Sequence, residues 1–327
     1  MPRRQRAACL CLHCVSRSHG DLLHSLPLGT CVDKDASHVP ESAAQGAMRV
    51  ISSDKAWRYS AADLPPPKNR IIYSYRCLLK ISAIVIFGLG SIIIGIFVLP
   101  LLRLALHPAS RFKRAARAFI SALFRFFVFA LQLFGGIRLN ADERKQYRSM
   151  QSKIVIANHP SLLDVVIVIS LIPNADCIVR GSLTKTAAAW VIRQLYIVNN
   201  LGYNELLTLC RQSLASGANI IIFPEGTRTP RHGTNSFKRG AAHIAYETGA
   251  DIQPLYIGGN DKYGLGKHDA FFSYNREEIY RYDLHLLPAI CTADYAQLPS
   301  HIATRRMTEA MHKRLADEAL SRDNKVI

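Results

Sequence analysis

The feature that most constrains this chain is an apolar run of 22 residues, 81–102, which carries no charge and lies between Lys80 and Arg103. A helix of about 20 apolar residues is long enough to cross the hydrocarbon core of a bilayer. The alternative is a helix buried in a soluble core, but such helices rarely run this long without a polar face. The run therefore predicts insertion into a membrane, as a span or as a deeply re-entrant helix.

A second apolar segment, residues 118–136, follows a cluster of cations: Arg111, Lys113, Arg114 and Arg117. This arrangement is typical of an interfacial helix, with cations at the level of the lipid phosphates and Phe and Leu side chains among the acyl chains. Arg125 interrupts the segment, which favours a helix embedded in one leaflet over a second span. We therefore predict that residues 70–136 form a membrane-anchoring helical hairpin.

The distribution of charge predicts a lipid partner. Residues 1–150 contribute +14 of the net charge of +17, with 22 Lys and Arg against 8 Asp and Glu. The same half holds the apolar segments, so anionic lipid is a better partner than nucleic acid, for which no binding signature is present. Basic residues are more numerous after residues 81–102 than before them, which predicts a cytoplasmic C-terminal domain on an inner membrane if the segment spans.

The first part of the chain is predicted to be a disordered or mis-annotated extension, residues 1–69, with Met48 as an alternative start. Cys9, Cys11 and Cys14 resemble a metal knuckle, but no second ligand pair follows at zinc-finger spacing, and we predict no metal site. A proline-rich break, residues 61–69, separates this extension from the ordered chain.

Beyond residue 137, short apolar runs alternate with helical patterns. The predicted strands are KIVIA, ADCIVR, LYIVNN, ANIIIFP and DIQPLYIG, and the predicted helices are SLLDVVIVISL, KTAAAWVIRQ, YNELLTLCRQSLA, FKRGAAHIAYETG and a C-terminal helix over residues 301–320. Alternation of this kind predicts an α/β domain over residues 137–327, with a mixed sheet flanked by helices.

The string NHPSLLD, residues 158–164, follows the first of these strands and places a His and an Asp across a predicted helix start at Pro160. Side chains in a helix tilt toward its N-terminus, so Asp164 can reach one ring nitrogen of His159. The other nitrogen would then face the loop as a general base. The alternative is a capping His with a hydrogen-bonded Asp and no chemistry.

A second string, FPEGTR at residues 223–228, ends an apolar strand and is predicted to expose Glu225, Gly226, Thr227 and Arg228 at a turn. Gly226 would let the backbone approach a ligand closely, and the Arg228 guanidinium suits an anionic headgroup. Lys238 follows ten residues later and adds positive charge at the same rim. The alternative is a local ion pair between Glu225 and Arg228.

Together, NHPSLLD (an HxxxxD motif) and FPEGTR resemble the glycerolipid or lysophospholipid acyltransferase family, of the 1-acylglycerol-3-phosphate acyltransferase type. The resemblance extends over about residues 73–259. Two weaker blocks agree in order and spacing: residues 177–183 with 192–200, where the family has an acceptor-binding block, and residues 251–256, a strand that carries a proline.

The resemblance implies that residues 137–327 form an acyltransferase catalytic domain, in which His159 removes the proton from an acceptor hydroxyl and Asp164 orients the imidazole. It also implies that no cofactor or metal is needed. Acyl-CoA or acyl carrier protein would be the donor and a membrane lipid the acceptor. The residues implied to hold the acceptor are Glu225, Gly226, Thr227, Arg228, Asn199, Asn200 and Lys238. The oligomeric state stays open.

One departure concerns the acceptor. The family's second block often ends in an Arg that binds the acceptor phosphate, whereas this chain has Val198, Asn199 and Asn200 there. Arg193 or Arg228 would have to supply that charge. An acyltransferase of a specialised lipid or polyene pathway, with another acceptor, is therefore an alternative. A non-catalytic membrane lipid-binding protein is an alternative of another class.

Overall fold

The computed structural model describes residues 57–142 and 144–324, which lie in one compact unit. The predictions for residues 1–47, and for Cys9, Cys11 and Cys14, fall outside these described residues. Residues 57–69, assigned above to the extension, contact the catalytic domain. The ring of Trp57 stacks on His232 with a centroid separation of 5.5 Å, and the Arg58 guanidinium donates to the side-chain oxygen of Asn235.

The apolar run lies in α1 (Arg70–Ile93), a π-helical turn (Ile94–Val98) and α2 (Leu99–Ala105), and α3 (Ala109–Leu133) follows. The helices form an antiparallel hairpin, because the hydroxyl of Tyr75 donates to the carbonyl of Phe134 at one end and Arg103 lies over the ring of Phe112 at the other. By length and composition alone, the segments 70–105 and 109–133 are each long and apolar enough to cross a membrane.

One face of the first helical segment packs along the catalytic domain. Near its middle, the buried ammonium of Lys80 donates to the carbonyls of Gly264, Phe271 and Ser273. Fifteen residues on, a Cβ at Gly95 would lie 2.4 Å from that of Trp190, so glycine permits this close approach. The other face is exposed and apolar, with Ile86, Leu89, Ile93 and Phe97 all more than half exposed.

The prediction for Arg117 is wrong. Instead of lying at the level of lipid phosphates, Arg117 is 6% exposed and makes two hydrogen bonds to the carboxylate of Asp176, of 2.7 and 2.5 Å. The remaining cations of the cluster are exposed: Arg111, Lys113 and Arg114. A buried charge needs a partner of opposite charge, and Asp176 lies in the domain against which α3 packs. The pair therefore fixes α3 to the catalytic domain.

The catalytic domain contains a mixed sheet of seven strands in the order β1-β7-β6-β2-β5-β3-β4. The strands are β1 (Ile137–Ala141), β2 (Ile154–Ala157), β3 (Ala175–Val179), β4 (Ile197–Val198), β5 (Asn219–Ile222), β6 (Ile252–Gly258) and β7 (Tyr280–Leu286). Among them, β6 and β7 pair antiparallel and the other neighbours pair parallel. The predicted fold class is confirmed.

The central strands follow the predicted runs because they are buried on both faces, which selects continuous β-branched sequence. The predicted strand LYIVNN shortens to the two residues of β4. β1 and β7 were not predicted. β7 reads YRYDLHL and alternates buried with half-buried residues, so it lacks the apolar run by which the central strands were identified.

The helices of the domain are α4 (Arg144–Ser149), α5 (Asp164–Leu171), α6 (Ala189–Leu195), α7 (Tyr203–Ala215), α8 (Gly240–Thr248) and α9 (Ser300–Asp323). The predicted start of α5 at Pro160 is wrong, because residues 161–163 form a turn and the helix begins at Asp164. The C-terminal helix is present as predicted, and α9 buries a stripe at helical spacing that includes Met307, Met311 and Leu315.

Candidate active site

The candidate site lies where neighbouring parallel strands end. β2 lies between β5 and β6 and is parallel to both, so the three carboxyl ends meet at one edge of the sheet. The buried side chain of Asn158 fixes this edge, since it donates to the carbonyl of Ile257 (2.9 Å) and accepts from the Ile257 N–H (2.8 Å). Open α/β sheets bind ligands outside the carboxyl ends of their strands.

His159 and Asp164 meet at this edge as predicted. The Nδ1 atom of His159 lies 2.8 Å from Oδ2 of Asp164, whose side chain is fully buried, whereas the His159 side chain is 18% exposed. A carboxylate only accepts hydrogen bonds, so Nδ1 carries the hydrogen and Nε2 presents its lone pair. The ring of Phe223 packs beside the imidazole with a centroid separation of 4.4 Å. An imidazole held in this way can accept a proton at Nε2.

The route by which Asp164 reaches His159 differs from the prediction. Asp164 is the first residue of α5, not a residue one turn inside it. Its carboxylate turns back and accepts hydrogen bonds from the backbone N–H (2.7 Å) and the hydroxyl (2.5 Å) of Ser161. It therefore serves as a cap for the turn and as the partner of His159 at once.

Glu225 does not lie exposed at the turn, as expected of an acceptor ligand, but is 5% exposed. Its Oε1 accepts from the His159 N–H (3.2 Å) and the Thr229 hydroxyl (2.5 Å), and its Oε2 accepts from the side-chain amide of Asn235 (2.6 Å). Burial raises the pKa of this carboxyl, an effect that these donors oppose. Glu225 thus holds the backbone of His159 in place, and it does not pair with Arg228.

Gly226 and Lys238 do lie together at the turn. Gly226 has a φ of +63°, in the left-handed region that glycine adopts without strain, and a Cβ there would lie 2.9 Å from both Cε and Nζ of Lys238. The guanidinium of Arg180, at the end of β3, donates to the carbonyl of Gly226. Two cationic side chains therefore flank this glycine.

Arg228 is half-buried at the same turn, and its Nη1 donates to the carbonyls of Leu265 (2.8 Å) and Gly266 (2.7 Å). Burial lowers its pKa, and the carboxylates of Asp269 and Asp164 oppose that shift. Thr227 is half-exposed beside it. The guanidinium is held by neutral carbonyl groups, so no contacting carboxylate cancels its charge.

Asn199 and Asn200 lie at the end of β4 and are exposed. The side-chain oxygen of Asn199 accepts from the Gly181 N–H (3.0 Å), and the Asn200 side chain packs 3.2 Å from where a Cβ of Gly181 would lie. Both asparagines therefore support the turn that follows Arg180. Arg193 points elsewhere and lines a cleft with Gly95 and Arg103.

Several residues that shape this site were not predicted. Arg180 lies in the weaker block of residues 177–183, but no feature of the sequence indicated that it contacts Gly226. Thr229 and Asn235 follow FPEGTR and hold Glu225, and Ser161 and Tyr282 extend the hydrogen bonds of Asp164. Their signal in the sequence is weak because hydroxyls and amides are common in turns. Among the described residues, no group of three or more His, Cys, Asp or Glu is placed to hold a metal ion.

Comparisons with known proteins show what this domain is similar to. Residues 138–258 match the family model described as Acyltransferase. The fold is similar to that in the crystal structure of the 1-acyl-sn-glycerophosphate (LPA) acyltransferase, PlsC, from Thermotoga maritima, with a TM-score of 0.55 at 20% identity over 76% of this chain and 98% of that chain.

Curated relatives agree with the predicted family. The chloroplastic 1-acyl-sn-glycerol-3-phosphate acyltransferase of Arabidopsis thaliana is 25% identical over 158 residues, which cover 46% of this chain and 43% of the relative. The 1-acyl-sn-glycerol-3-phosphate acyltransferase of Cocos nucifera is 30% identical over 118 residues, which cover 32% of this chain and 37% of the relative. The chain thus spans less than half the length of these relatives. The predicted family resemblance is confirmed.

Proposed function

We propose that this chain is a membrane-bound O-acyltransferase that moves a fatty acyl group from an acyl thioester to a hydroxyl of a lysophospholipid, in the manner of a 1-acyl-sn-glycerol-3-phosphate acyltransferase. The observation that carries the proposal is the 2.8 Å contact between His159 Nδ1 and Asp164, which leaves Nε2 as a base at the carboxyl edge of the sheet. The domain match and the names of the relatives support the same chemistry.

In the proposed reaction, Nε2 of His159 takes the proton of the acceptor hydroxyl while the hydroxyl oxygen attacks the thioester carbonyl carbon. The tetrahedral intermediate then collapses, the carbon–sulfur bond breaks, and the leaving thiolate takes the proton from His159. Asp164 stabilises the imidazolium that forms in between. No acyl-enzyme intermediate is required, because the acceptor attacks the donor directly.

The developing oxyanion needs hydrogen-bond donors, for which the backbone N–H groups before α5 are candidates. The N–H groups of the turn there are already used: Ser161 donates to Asp164, Leu162 to the carbonyl of Leu265, and Leu163 to the Ser161 hydroxyl. We therefore propose that donors outside this turn stabilise the oxyanion.

We assign the binding of the acceptor's anionic group to three cationic residues near Gly226: Arg180, Arg228 and Lys238. No salt bridge within residues 57–142 and 144–324 pairs Arg180, Arg228 or Lys238 with a carboxylate, and both arginines contact neutral carbonyls instead. Their positive charge is thus available to a phosphate, which a guanidinium binds with two donors. Arg180 supplies the charge that Asn199 and Asn200 lack.

Membrane binding is assigned to the helical hairpin of α1 to α3. The catalytic domain covers one face of the first apolar helix from Lys80 in α1 to Gly95 in the π-helical turn, and an α/β domain cannot lie in hydrocarbon. The opposite, apolar face would enter the lipid. This supports a hairpin that lies in one leaflet. The proposal that this is the cytoplasmic leaflet of the inner membrane rests separately on the basic residues that follow residues 81–102.

The function is tested with the full chain in phospholipid vesicles and labelled acyl-CoA or acyl carrier protein as donor. Acceptors would be lysophosphatidic acid, lysophosphatidylcholine and the uncharged monoacylglycerol. We expect transfer to a phosphate-bearing acceptor, and we expect His159→Ala to lower kcat by about 10²–10⁴-fold, the usual contribution of a general base.

The control is His301→Ala, which removes an exposed histidine from α9 and should leave the rate unchanged. A wild-type rate in His159→Ala would contradict the assignment of the general base. Transfer to monoacylglycerol alone would favour an acyltransferase of a specialised pathway. Absence of transfer to every acceptor, with vesicle binding retained, would identify a non-catalytic lipid-binding protein.

A further inference from the structure

A buried chain of hydrogen bonds leads away from the His159–Asp164 pair to strand β7. The hydroxyl of Ser161 contacts Oδ1 of Asp164 at 2.5 Å, and the hydroxyl of Tyr282 contacts Oγ of Ser161 at 2.9 Å. Ser161, Asp164 and Tyr282 are each fully buried. The chain therefore runs from the imidazole to β7 without contact with solvent.

The chemistry of the groups fixes the direction of these hydrogen bonds. A serine hydroxyl has one hydrogen, and a carboxylate can only accept, so Ser161 donates to Asp164. Its oxygen must then accept from Tyr282, and it also accepts from the Leu163 N–H (3.2 Å). Tyr282 is consequently the donor at the end of the chain, and every hydrogen in it points toward Asp164.

The environment of Tyr282 keeps it a donor. Burial, and then the nearby charge of Asp164, raise the pKa of its hydroxyl well above the ordinary value, so the group stays protonated. The ammonium of Lys262 lies 4.6 Å from the centre of the ring and is itself held by the carbonyls of Gly258, Asn260 and Arg281. Tyr282 lies beyond residues 138–258, which match the family model.

We propose that Ser161 and Tyr282 are positioning residues of the acyl transfer, which hold the Asp164 carboxylate in the orientation that places Oδ2 on Nδ1 of His159. This inference rests on the proposed function. Neither side chain touches a substrate, and each acts through Asp164.

A loosened carboxylate would weaken its contact with the imidazolium that forms during the reaction, whereas the acceptor cations at Gly226 lie elsewhere. The effect should therefore fall on kcat and not on KM.

The test compares Tyr282→Phe with Tyr280→Phe in the full chain. Tyr280 lies two residues away on the same strand, is 1% exposed, and donates its hydroxyl to the Tyr263 carbonyl (2.6 Å) without contacting Asp164. Both variants lose one buried, hydrogen-bonded hydroxyl, so their melting temperatures should fall by similar amounts. We expect kcat to fall about five- to tenfold in Tyr282→Phe alone, the usual effect of one lost hydrogen bond, with KM within about twofold.

A double-mutant cycle separates a positioning role from general destabilisation. Ser161→Ala should lower kcat further than Tyr282→Phe, and adding Tyr282→Phe to it should change kcat by less than about twofold, because the connection is already cut. Ser170→Ala is the matched control, since Ser170 is also buried and its hydroxyl donates to the Ile167 carbonyl (2.6 Å). If Tyr282→Phe does not fold, the proposal is tested by the kcat of Ser161→Ala, which should fall, against that of Ser170→Ala, which should not.

The proposal is overturned if Tyr282→Phe keeps the wild-type kcat, if Tyr280→Phe loses as much, or if the effects of Ser161→Ala and Tyr282→Phe are additive. These outcomes leave the proposed function intact as long as the wild type transfers acyl groups and His159→Ala does not. A wild type that transfers none would instead refute the proposed function itself.

Discussion

The two loops that form the site each contain one buried carboxylate, and they use it differently. In the loop of residues 158–164, Asp164 binds the imidazole of His159 and so sets which ring nitrogen carries the hydrogen. In the loop of residues 223–229, Glu225 binds the backbone N–H of His159 and the side chains of Thr229 and Asn235. One carboxylate contacts the imidazole of His159 and the other contacts the backbone that carries it.

Both carboxylates are stabilised without an ion pair to the arginines of the site. Asp164 and Glu225 are both stabilised by hydrogen-bond donors of the protein, and no ion pair between Glu225 and Arg228 occurs in the described part of the chain. A buried carboxylate can be stabilised by several donors in place of a cation. Arg180 and Arg228 therefore form no ion pair with Asp164 or Glu225.

The largest expected difference between the two loops is in catalysis. In Asp164→Asn, an amide nitrogen replaces either Oδ2, which contacts the imidazole and the Ser161 N–H, or Oδ1, which accepts from the Ser161 hydroxyl. At the Oδ2 position the amide would donate to Nδ1 of His159, so the ring hydrogen would move to Nε2 and the base would be lost. At either position the variant lacks the negative charge that stabilises the imidazolium. We expect kcat to fall about 10³-fold, comparable with other His–carboxylate pairs, with little change in KM.

Steady-state kinetics in vesicles measure this effect, and circular dichroism would check that the variant is folded. The matched control is Asp283→Asn, which changes a half-buried carboxylate on β7 that bonds to Asn140 and Arg281. A loss of less than about tenfold in Asp164→Asn would mean that the imidazole is oriented without this carboxylate.

A smaller loss of activity is expected from Glu225→Gln. The amide of glutamine would face the side-chain amide of Asn235, and Asn235 cannot turn over because its oxygen accepts from Arg58. The loop should shift and move the backbone of His159 slightly. A small misplacement of a base reduces the rate without abolishing it, so we expect kcat to fall about tenfold. If this variant lost as much activity as Asp164→Asn, Glu225 would have a direct part in the reaction.

The pairing of His159 with Asp164 was predictable because sequence spacing across a strand end restricts where two side chains can lie. The central strands were predictable for a similar reason, since burial on both faces demands an unbroken apolar run. The start of α5 was missed because Ser161 competes for the carboxylate of Asp164 and holds the preceding residues in a turn. Local hydrogen bonding thus overrode the preference for proline at the first helical position.

The roles of Glu225 and Arg117 were not predictable from their neighbours in sequence. The partners of Glu225 include His159, 66 residues away, and the partner of Arg117 is Asp176, 59 residues away. From sequence alone, a charged residue is predicted to be exposed, because the distant segments that bury it are not known. Tyr282 was missed for the same reason, because its strand was not predicted and its contact with Ser161 spans 121 residues.

The smallest expected difference is in the pH dependence of folding. Burial raises the pKa of Glu225 above its ordinary value of 4.5, so the folded state holds this proton more tightly than the unfolded state. The contribution of Glu225 to stability is therefore fully present below about pH 4.5 and is lost as the pH rises through the raised value.

Glutamine does not titrate, so the free energy of unfolding of the wild type should fall relative to that of Glu225→Gln as the pH rises from about 4.5, by at most about 1.4 kcal/mol per pH unit. Urea unfolding in detergent at a series of pH values measures this difference, and Glu277→Gln, an exposed site, should show no such trend. A difference that grew in favour of the wild type with rising pH would mean that its three donors outweigh burial and that the charged form of Glu225 is more strongly stabilised in the folded protein than in water.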